Sequence, residues 1–374
     1  MKYKWKKSLL SEVAVFKNGK KRPKDIGNVP VYGGNGILAY TKKGNFNECV
    51  SIGRVGVYCG NVYLSRSECW ISDNAIAAIP KENTSIEYLY YLLRNLQLNK
   101  MRIGSGQPLL TQGILNIIEV DVPDKEYQYK IATVLKSIDD KIETNTAINK
   151  NLEEQLQLLF QHTFLDEVHD DWPIKRLGDY LSLNRGLSYK GKYLSENEGV
   201  PMINLGNILP NSVFREEKLK FYTGEFKEKV VVKPGDVVVA NTDLTQSREV
   251  LGSAITVPDL GYTTMICSHH ISIIKECTIS KHFILGMLNS PSYRERVISF
   301  ATGTTVLALP SETILNCEFA LPPEKIVMEY DSFAELVRQK SEQLRKENLQ
   351  LNSLRDNLLP KLMSGELDVS EISI

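Results

Sequence analysis

The sequence is poor in the features that usually place a chain quickly. Six cysteines in 374 residues, none in a Cys-x-x-Cys pair, argue against a disulfide framework or a zinc ribbon and suit reduced thiols in a cytoplasmic protein. No apolar run reaches the ~18–20 residues that cross a bilayer, and the lysine-rich start is broken by Ser11 and Glu12, so neither a membrane span nor a signal peptide is expected. There is no GxxxxGK[ST] loop, and Gly104-Ser105-Gly106 is too short to cradle a phosphate. The Asn-Pro-Pro-Tyr-type element that an adenine methyltransferase sets beside a flipped base is also missing. Net charge is absent, since 45 basic residues balance 45 acidic ones, and that figure alone argues against nucleic acid. With 42% hydrophobic and 24% charged residues the composition excludes disorder, and the length excludes one small domain.

Neutrality is an average over unlike parts. Residues 1–60 carry 12 basic and 3 acidic side chains, whereas residues 121–170 carry 5 and 11. Lys20, Lys21, Arg22 and Arg54 sit among Gly, Asn and Tyr, a setting in which basic loops neutralise phosphates while short polar side chains approach bases. A solvated lysine-rich surface would look the same.

The chain is written twice. Trp5, Leu10 and Gly19 recur as Trp172, Leu177 and Gly186 at an offset of 167, and Ile114-Leu115-Asn116 recurs as Ile314-Leu315-Asn316 at an offset of 200. The second copy has therefore gained 33 residues between the anchors, and such length differences belong in loops, where two copies of one scaffold differ in what they bind. Each copy is β-rich with short helices expected near Tyr88–Leu98 and His282–Leu288, and neither alternates βαβ, so the class is α+β.

Each copy then runs into a long helix. Ile131, Leu135, Ile138, Ile142, Asn145, Asn149, Leu152, Leu156, Leu159 and Thr163 are spaced 4-3 throughout, a heptad seam with two asparagines near its middle. The second helix repeats the spacing at Phe333, Val337, Lys340, Leu344, Glu347, Leu351, Leu354 and Leu358. A narrow apolar stripe cannot be buried by one helix, so the two are expected to pack as an antiparallel coiled coil. Asn145 and Asn149 either fix the helix register, the preferred reading, or mark where the seam opens toward a different partner. A helix from Gln128 to Thr163 spans about 54 Å, longer than one turn of B-DNA at about 34–36 Å. The repeat further predicts that the C-terminal tail returns to the start of the chain.

Little chemistry is on offer. Pro123-Asp124 with Asp139-Asp140-Lys141 imitates the carboxylate–lysine pattern of a metal-dependent nuclease, but Asp139 and Lys141 flank seam residues on a helix. Cys267, His269, His270 and Cys277 match no zinc spacing, and the two histidines fall in an apolar alternation that reads as strand. No catalytic or metal site is expected.

Ile52-Gly-Arg-Val-Gly-Val-Tyr, Cys69-Trp-Ile-Ser-Asp-Asn-Ala, the Thr302–Ser311 segment leading to Leu321-Pro-Pro, and the terminal Leu354-Arg-Asp-Asn-Leu-Leu-Pro-Lys-Leu-Met-Ser-Gly-Glu resemble the specificity subunit of type I restriction–modification systems. The resemblance implies a non-catalytic, DNA-binding chain with two target recognition domains, at residues 1–123 and 166–323. A central helix at 124–165 and a C-terminal helix and tail at 324–374 would complete it, in a pseudo-twofold internal repeat. Each domain would read half of an asymmetric bipartite site in double-stranded DNA, and the helices would set the spacer. It also implies modification (methyltransferase) and restriction (translocase and nuclease) subunits as partners, with S-adenosylmethionine, ATP and Mg²⁺ on those partners and no cofactor in this chain. A stand-alone DNA-modifying or DNA-cleaving enzyme, or a helical scaffold without a DNA role, are the alternatives. Side chains suited to base edges in glycine-bearing loops single out Lys20, Lys21, Arg22, Asn35, Arg54 and Gln107 in the first copy. In the second they are Arg185, Lys190, Lys192, Asn241, Thr242, Gln246, Arg248 and Thr304.

Overall fold

The computed structural model describes residues 4–104, 108–210, 213–244, 248–303 and 306–372. It divides into two units, Met1–Asn145 with Glu347–Ile374, and Thr146–Lys346. Both boundaries between the units fall within the long helices.

The first unit begins with β1 (Trp5–Leu9), α1 (Leu10–Val13) and β2 (Ala14–Asn18). A hairpin of β3 (Val29–Gly33) and β4 (Gly36–Thr41) follows, then β5 (Cys49–Gly53), β6 (Val62–Ser65), β7 (Trp70–Ile71) and β8 (Ala75–Pro80). One sheet has the order β2-β8-β5-β6 and a smaller one β4-β3-β7. All five β5 residues are buried, Ser51 among them, so both faces of this strand are covered and its sequence does not alternate. Against the larger sheet lies α2 (Ile86–Asn95), started by Ser85 accepting from the Tyr88 N–H and burying Tyr88, Leu89, Leu92 and Leu93. After α3 (Gln112–Asn116), β9 (Glu119–Pro123) pairs back onto β1 and leads into α4 (Lys125–Gln161). Asp124 caps that helix by accepting from the Tyr127 N–H at 3.0 Å.

The second unit repeats this order. It contains β10 (Ile174–Arg176), β11 (Ser182–Arg185), β12 (Leu194–Ser195), β13 (Val200–Ile203), β14 (Lys220–Tyr222) and β15 (Val231–Val232). Then come β16 (Val237–Ala240), β17 (Thr242–Asp243), β18 (Ala254–Thr256), β19 (Met265–Cys267) and β20 (Ile271–Lys275). Its last elements are α5 (Lys281–Asn289), α6 (Pro291–Phe300), β21 (Leu307–Ala308), α7 (Ser311–Leu315), β22 (Glu318–Ala320) and α8 (Glu324–Met363). The sheet β11-β20-β16-β18 matches β2-β8-β5-β6, and the parallel pair β13/β19 matches β3/β7. The added length is largest between β13 and β14, joined by residues 204–219, where β3 and β4 need only Gly34 and Asn35. Equivalent hydrogen bonds, Leu10 N–H to Ile118 O and Leu177 N–H to Cys317 O, bring the offset down to 199 at this point. Lys125 and Glu324, the first residues of α4 and α8, keep that offset.

The repeated glycines have a structural cause. A Cβ at Gly19 would lie 1.9 Å from Ser72 O, and one at Gly186 would lie 2.2 Å from Ser268 O. In both copies the backbone after the first core strand passes too close to a neighbouring turn for any side chain.

The helices run antiparallel. In the first unit Asp139 pairs with Arg355, and Asn145 Nδ2 donates to Glu347 Oε2 at 3.0 Å and Asn348 Oδ1 at 2.9 Å. In the second, Asn149 Nδ2 donates to Ser341 O at 3.4 Å, so partners fall as positions rise. Two parts of the expected seam are corrected. At the end of α4 and in the turn that follows it, Phe160 and Phe164 are buried in place of Leu159 and Thr163, because these rings stack against Phe283 and Tyr330. In α8 Phe333 and Leu354 are exposed while Ala334 and Leu359 are buried. Each core takes the start of one helix and the end of the other. Tyr127, Ile131 and Leu135 join Leu359, Leu362 and Met363 in the first core, and Leu156, Phe160 and Phe164 join Val327, Tyr330 and Ala334 in the second. The tail closes the first unit as the repeat predicts: Gly365 packs on Trp5, and Tyr127 Oη donates to Asp368 Oδ1 at 3.0 Å.

Candidate nucleic-acid interface

Most of the described candidates in the first copy converge on one corner of the first unit. Arg54, at the end of β5, donates its N–H to Asn74 O and accepts from the Leu110 N–H, both at 2.9 Å. The chain after Gly19 enters the same place, with Lys20 bridged to Ser72. Gly34 borders it as well, since a Cβ there would lie 3.8 Å from Asn74 O and Val55 O, so the exposed Asn35 at the hairpin tip is adjacent. Lys21 and Arg22 continue outward from Lys20 and are exposed. Gln107 lies outside the described residues.

The second unit builds the same corner from other side chains. Asn241 donates its N–H to His270 O at 2.9 Å and accepts from the Leu309 N–H at 2.8 Å, the bonds that define Arg54. Position 241 is thus the counterpart of position 54. Leu187, next after Gly186, is bridged to Ser268 as Lys20 is to Ser72. Arg185 Nε donates to His269 O at 3.1 Å, and Thr242 Oγ1 lies 2.8 Å from His270 Nδ1. Lys190 and Lys192 lie further along the loop that follows Gly186, exposed, with the Lys192 ammonium 4.8 Å from the Tyr193 ring centroid. Arg248 is held away from the corner: at φ +55° its guanidinium donates to Ile298 O at 2.8 Å on α6. Gln246 and Thr304 lie outside the described residues.

His269 and His270 were missed. They are not strand residues; they form the turn between β19 and β20, their rings 3.9 Å apart and tilted by 39°. The repeat carried the signal, because Ser268-His269-His270 occupies the place of Ser72-Asp73-Asn74. Burial and the Arg185 charge lower the pKa of both rings from 6.5, with His269 also lowering that of His270, so both are neutral at pH 7.

Both corners contain polar atoms that are buried without a partner. Arg54 Nε, Ser51 Oγ and Ser72 Oγ are so placed in the first unit, and Asn241 Oδ1, Ser268 Oγ and His269 Nδ1 in the second. A protein leaves few such atoms, because each costs about 1–3 kcal/mol. Two of these recur at equivalent points, Arg54 with Asn241 and Ser72 with Ser268.

The residues that imitate a nuclease are engaged otherwise. Asp124 caps α4, Asp139 accepts from Tyr91 Oη at 2.7 Å and from Arg355 Nη1 at 2.9 Å, and Lys141 pairs with Glu347. Cys267 is fully buried, and burial raises its pKa. All six cysteines are free thiols, Cys49 and Cys69 lying with their sulfurs 3.6 Å apart. Among the described residues no group of three or more His, Cys, Asp or Glu could hold a metal ion, and no helix is long and apolar enough to cross a membrane.

Comparison with known proteins agrees with this architecture. The family model of the type I restriction modification DNA specificity domain matches residues 2–154. The specificity subunit of the type I restriction enzyme MjaIX from Methanocaldococcus jannaschii is 28% identical over 345 residues, covering 84% of this chain and 76% of that protein. That of HindI from Haemophilus influenzae is 23% identical, covering 82% of each. The crystal structure of the type I restriction–modification S subunit from M. genitalium has the same fold, with a TM-score of 0.57 at 16% identity over 96% of both chains. A chain that repeats one β-rich unit and one long helix is thus similar, along most of its length, to the specificity subunits of type I restriction–modification systems.

Proposed function

We propose that the two units read the two halves of one asymmetric, bipartite site in double-stranded DNA, one half each, with the paired helices setting the unread spacer. Residues 1–123 and 166–323 are the reading domains in this proposal, and 124–165 and 324–374 supply the helices and tail. The observation that carries it is the recurrence of one corner, with unpartnered buried polar atoms, at equivalent points of two units. Asn145 and Asn149 serve as register residues, since a polar seam position penalises any slipped pairing.

In the same reading the chain works in the cytoplasm with modification subunits that carry S-adenosylmethionine and restriction subunits that carry ATP and Mg²⁺. Charge supports that division. The first reader is strongly basic at its start, the second contributes less electrostatic affinity, and much of the grip on DNA comes from the partners.

Exchanging residues 1–123 for those of a relative, in cells that also carry the modification partner, tests the proposal by methylation mapping. The expected result is a change in one half of the methylated motif. A change in both halves, or in neither, refutes it.

A further inference from the structure

The two corners occupy one position in the repeat but offer opposite hydrogen-bonding character. In the first unit the side chain at that position is Arg54, whose guanidinium can only donate and whose Nε is buried without a partner. In the second it is Asn241, whose amide nitrogen is committed to Ser272 Oγ at 3.1 Å, leaving Oδ1 as an unpartnered acceptor. Beside it His269 Nδ1 is a second unpartnered atom. His270 is oriented by Thr242, whose Oγ1 lies 2.8 Å from Nδ1; in the tautomer that accepts from this hydroxyl, the proton of the neutral ring sits on Nε2 as a donor. Stacking on His269 and the Arg185 bond to the His269 carbonyl hold the pair in place.

We propose that Arg54 and the Asn241–His269–His270 cluster are the specificity-determining groups of the two units, Arg54 reading a guanine and the cluster an adenine. The inference rests on the proposal that these corners face DNA, and it adds which base edge each takes. Guanine presents two acceptors, O6 and N7, in the major groove and suits a group that only donates. Adenine presents the N6 donor beside the N7 acceptor, which the His270 Nε2–H and, once its buried oxygen is uncovered, Asn241 complement. A neutral imidazole pair is needed for this, because protonated rings would only donate. Burial and Arg185 hold both rings in that form.

The test is selection of bound sequences from a pool of duplex oligonucleotides with randomised positions, using the full chain in complex with its modification partner. Arg54→Gln is expected to lose about 10-fold or more of the preference for guanine at one position of one half-site. His270→Phe, which keeps the ring stack, is expected to lose a similar preference for adenine at one position of the other half-site, as is Asn241→Ala. Each variant should leave the other half-site unchanged. The assignment is overturned if a variant leaves base preference intact, or if the bases affected are not guanine and adenine respectively. Selection by the unsubstituted complex of no sequence, or of a single uninterrupted block, would overturn the bipartite reading itself, a result separable from the failure of any one variant.

Discussion

The two units share a frame and differ in how they close it. In the first, the junction of α2 with the long helices is sealed by polar groups: Tyr91 and Arg355 both bond Asp139, and Arg94 lies near Asp139 and Asp356. At the corresponding junction of the second unit, Gly286 replaces Tyr91, Phe160 packs against it, and a 510 Å³ cavity opens beside Glu153, Phe160, Asn289 and Tyr330. Asn352, at the offset of 199, stands in the first unit where Glu153 stands in the second. One backbone plan therefore tolerates an ion-pair lock or an aromatic stack at the same joint. The plan is held by backbone proximity and core apolar positions, and the side chains on it are free to diverge.

The largest effect tests the shared frame. Gly19→Ala and Gly186→Ala should each destabilise their own unit by about 3 kcal/mol or more, since a Cβ has no room against a carbonyl. Urea unfolding of the full chain, with hydrogen exchange to assign the unit, measures this, and a neutral result in either copy would break the equivalence. Next comes the differing joint. Asp139→Ala leaves the largely buried Arg355 with only the exposed Asp356 and strips Tyr91 Oη of its acceptor, and should cost about 2 kcal/mol. Arg338→Ala, at the matching place on α8, removes only an exposed pair with Glu335 and should cost under about 0.5 kcal/mol. Equal losses would mean that the joints work alike. Asn145→Ala, fully buried and doubly bonded, should cost about 1–2 kcal/mol, against less for Asn149→Ala with its single long bond. The smallest effect depends on pH. Burial pushes the Glu153 carboxyl from 4.5 up to about 7, so the folded state keeps a proton that the unfolded chain releases between these values. Stability from this group is present below pH 4.5 and is lost as pH rises through 7. Glu153→Gln should therefore match the parent near pH 5 and melt about 2–4 °C higher at pH 8. Identical melting at both values would place the carboxylate in water.

Long-range regularity was legible in the sequence. The 4-3 spacing of α4, unbroken by Gly or Pro, can only be a helix in need of a partner, and the glycine anchors follow from steric contact that any reader of the repeat inherits. Local exceptions were not legible. The shift from Leu159 to Phe160 depends on Phe283 and Tyr330, more than a hundred residues away, and nothing in the heptad records them. A lone arginine in a polar loop, such as Arg248, gives no sign that a helix carbonyl will take its guanidinium. His269 and His270 fit an apolar alternation until the repeat sets them against Asp73 and Asn74, where a turn is required.

The sharing of helices between cores also has a consequence for synthesis on the ribosome. Leu359, Leu362, Met363 and Val369 belong to the core of the first unit, yet they are made only after the whole of the second unit. At roughly 5–20 residues per second the ribosome needs about 10–40 s to cross the second unit before it reaches them. The unit translated first must therefore wait, its apolar surface incomplete, while the contiguous second unit finishes folding. In this molecule the order of synthesis and the order of completion are reversed, and the nascent first unit is the stage most in need of protection from aggregation.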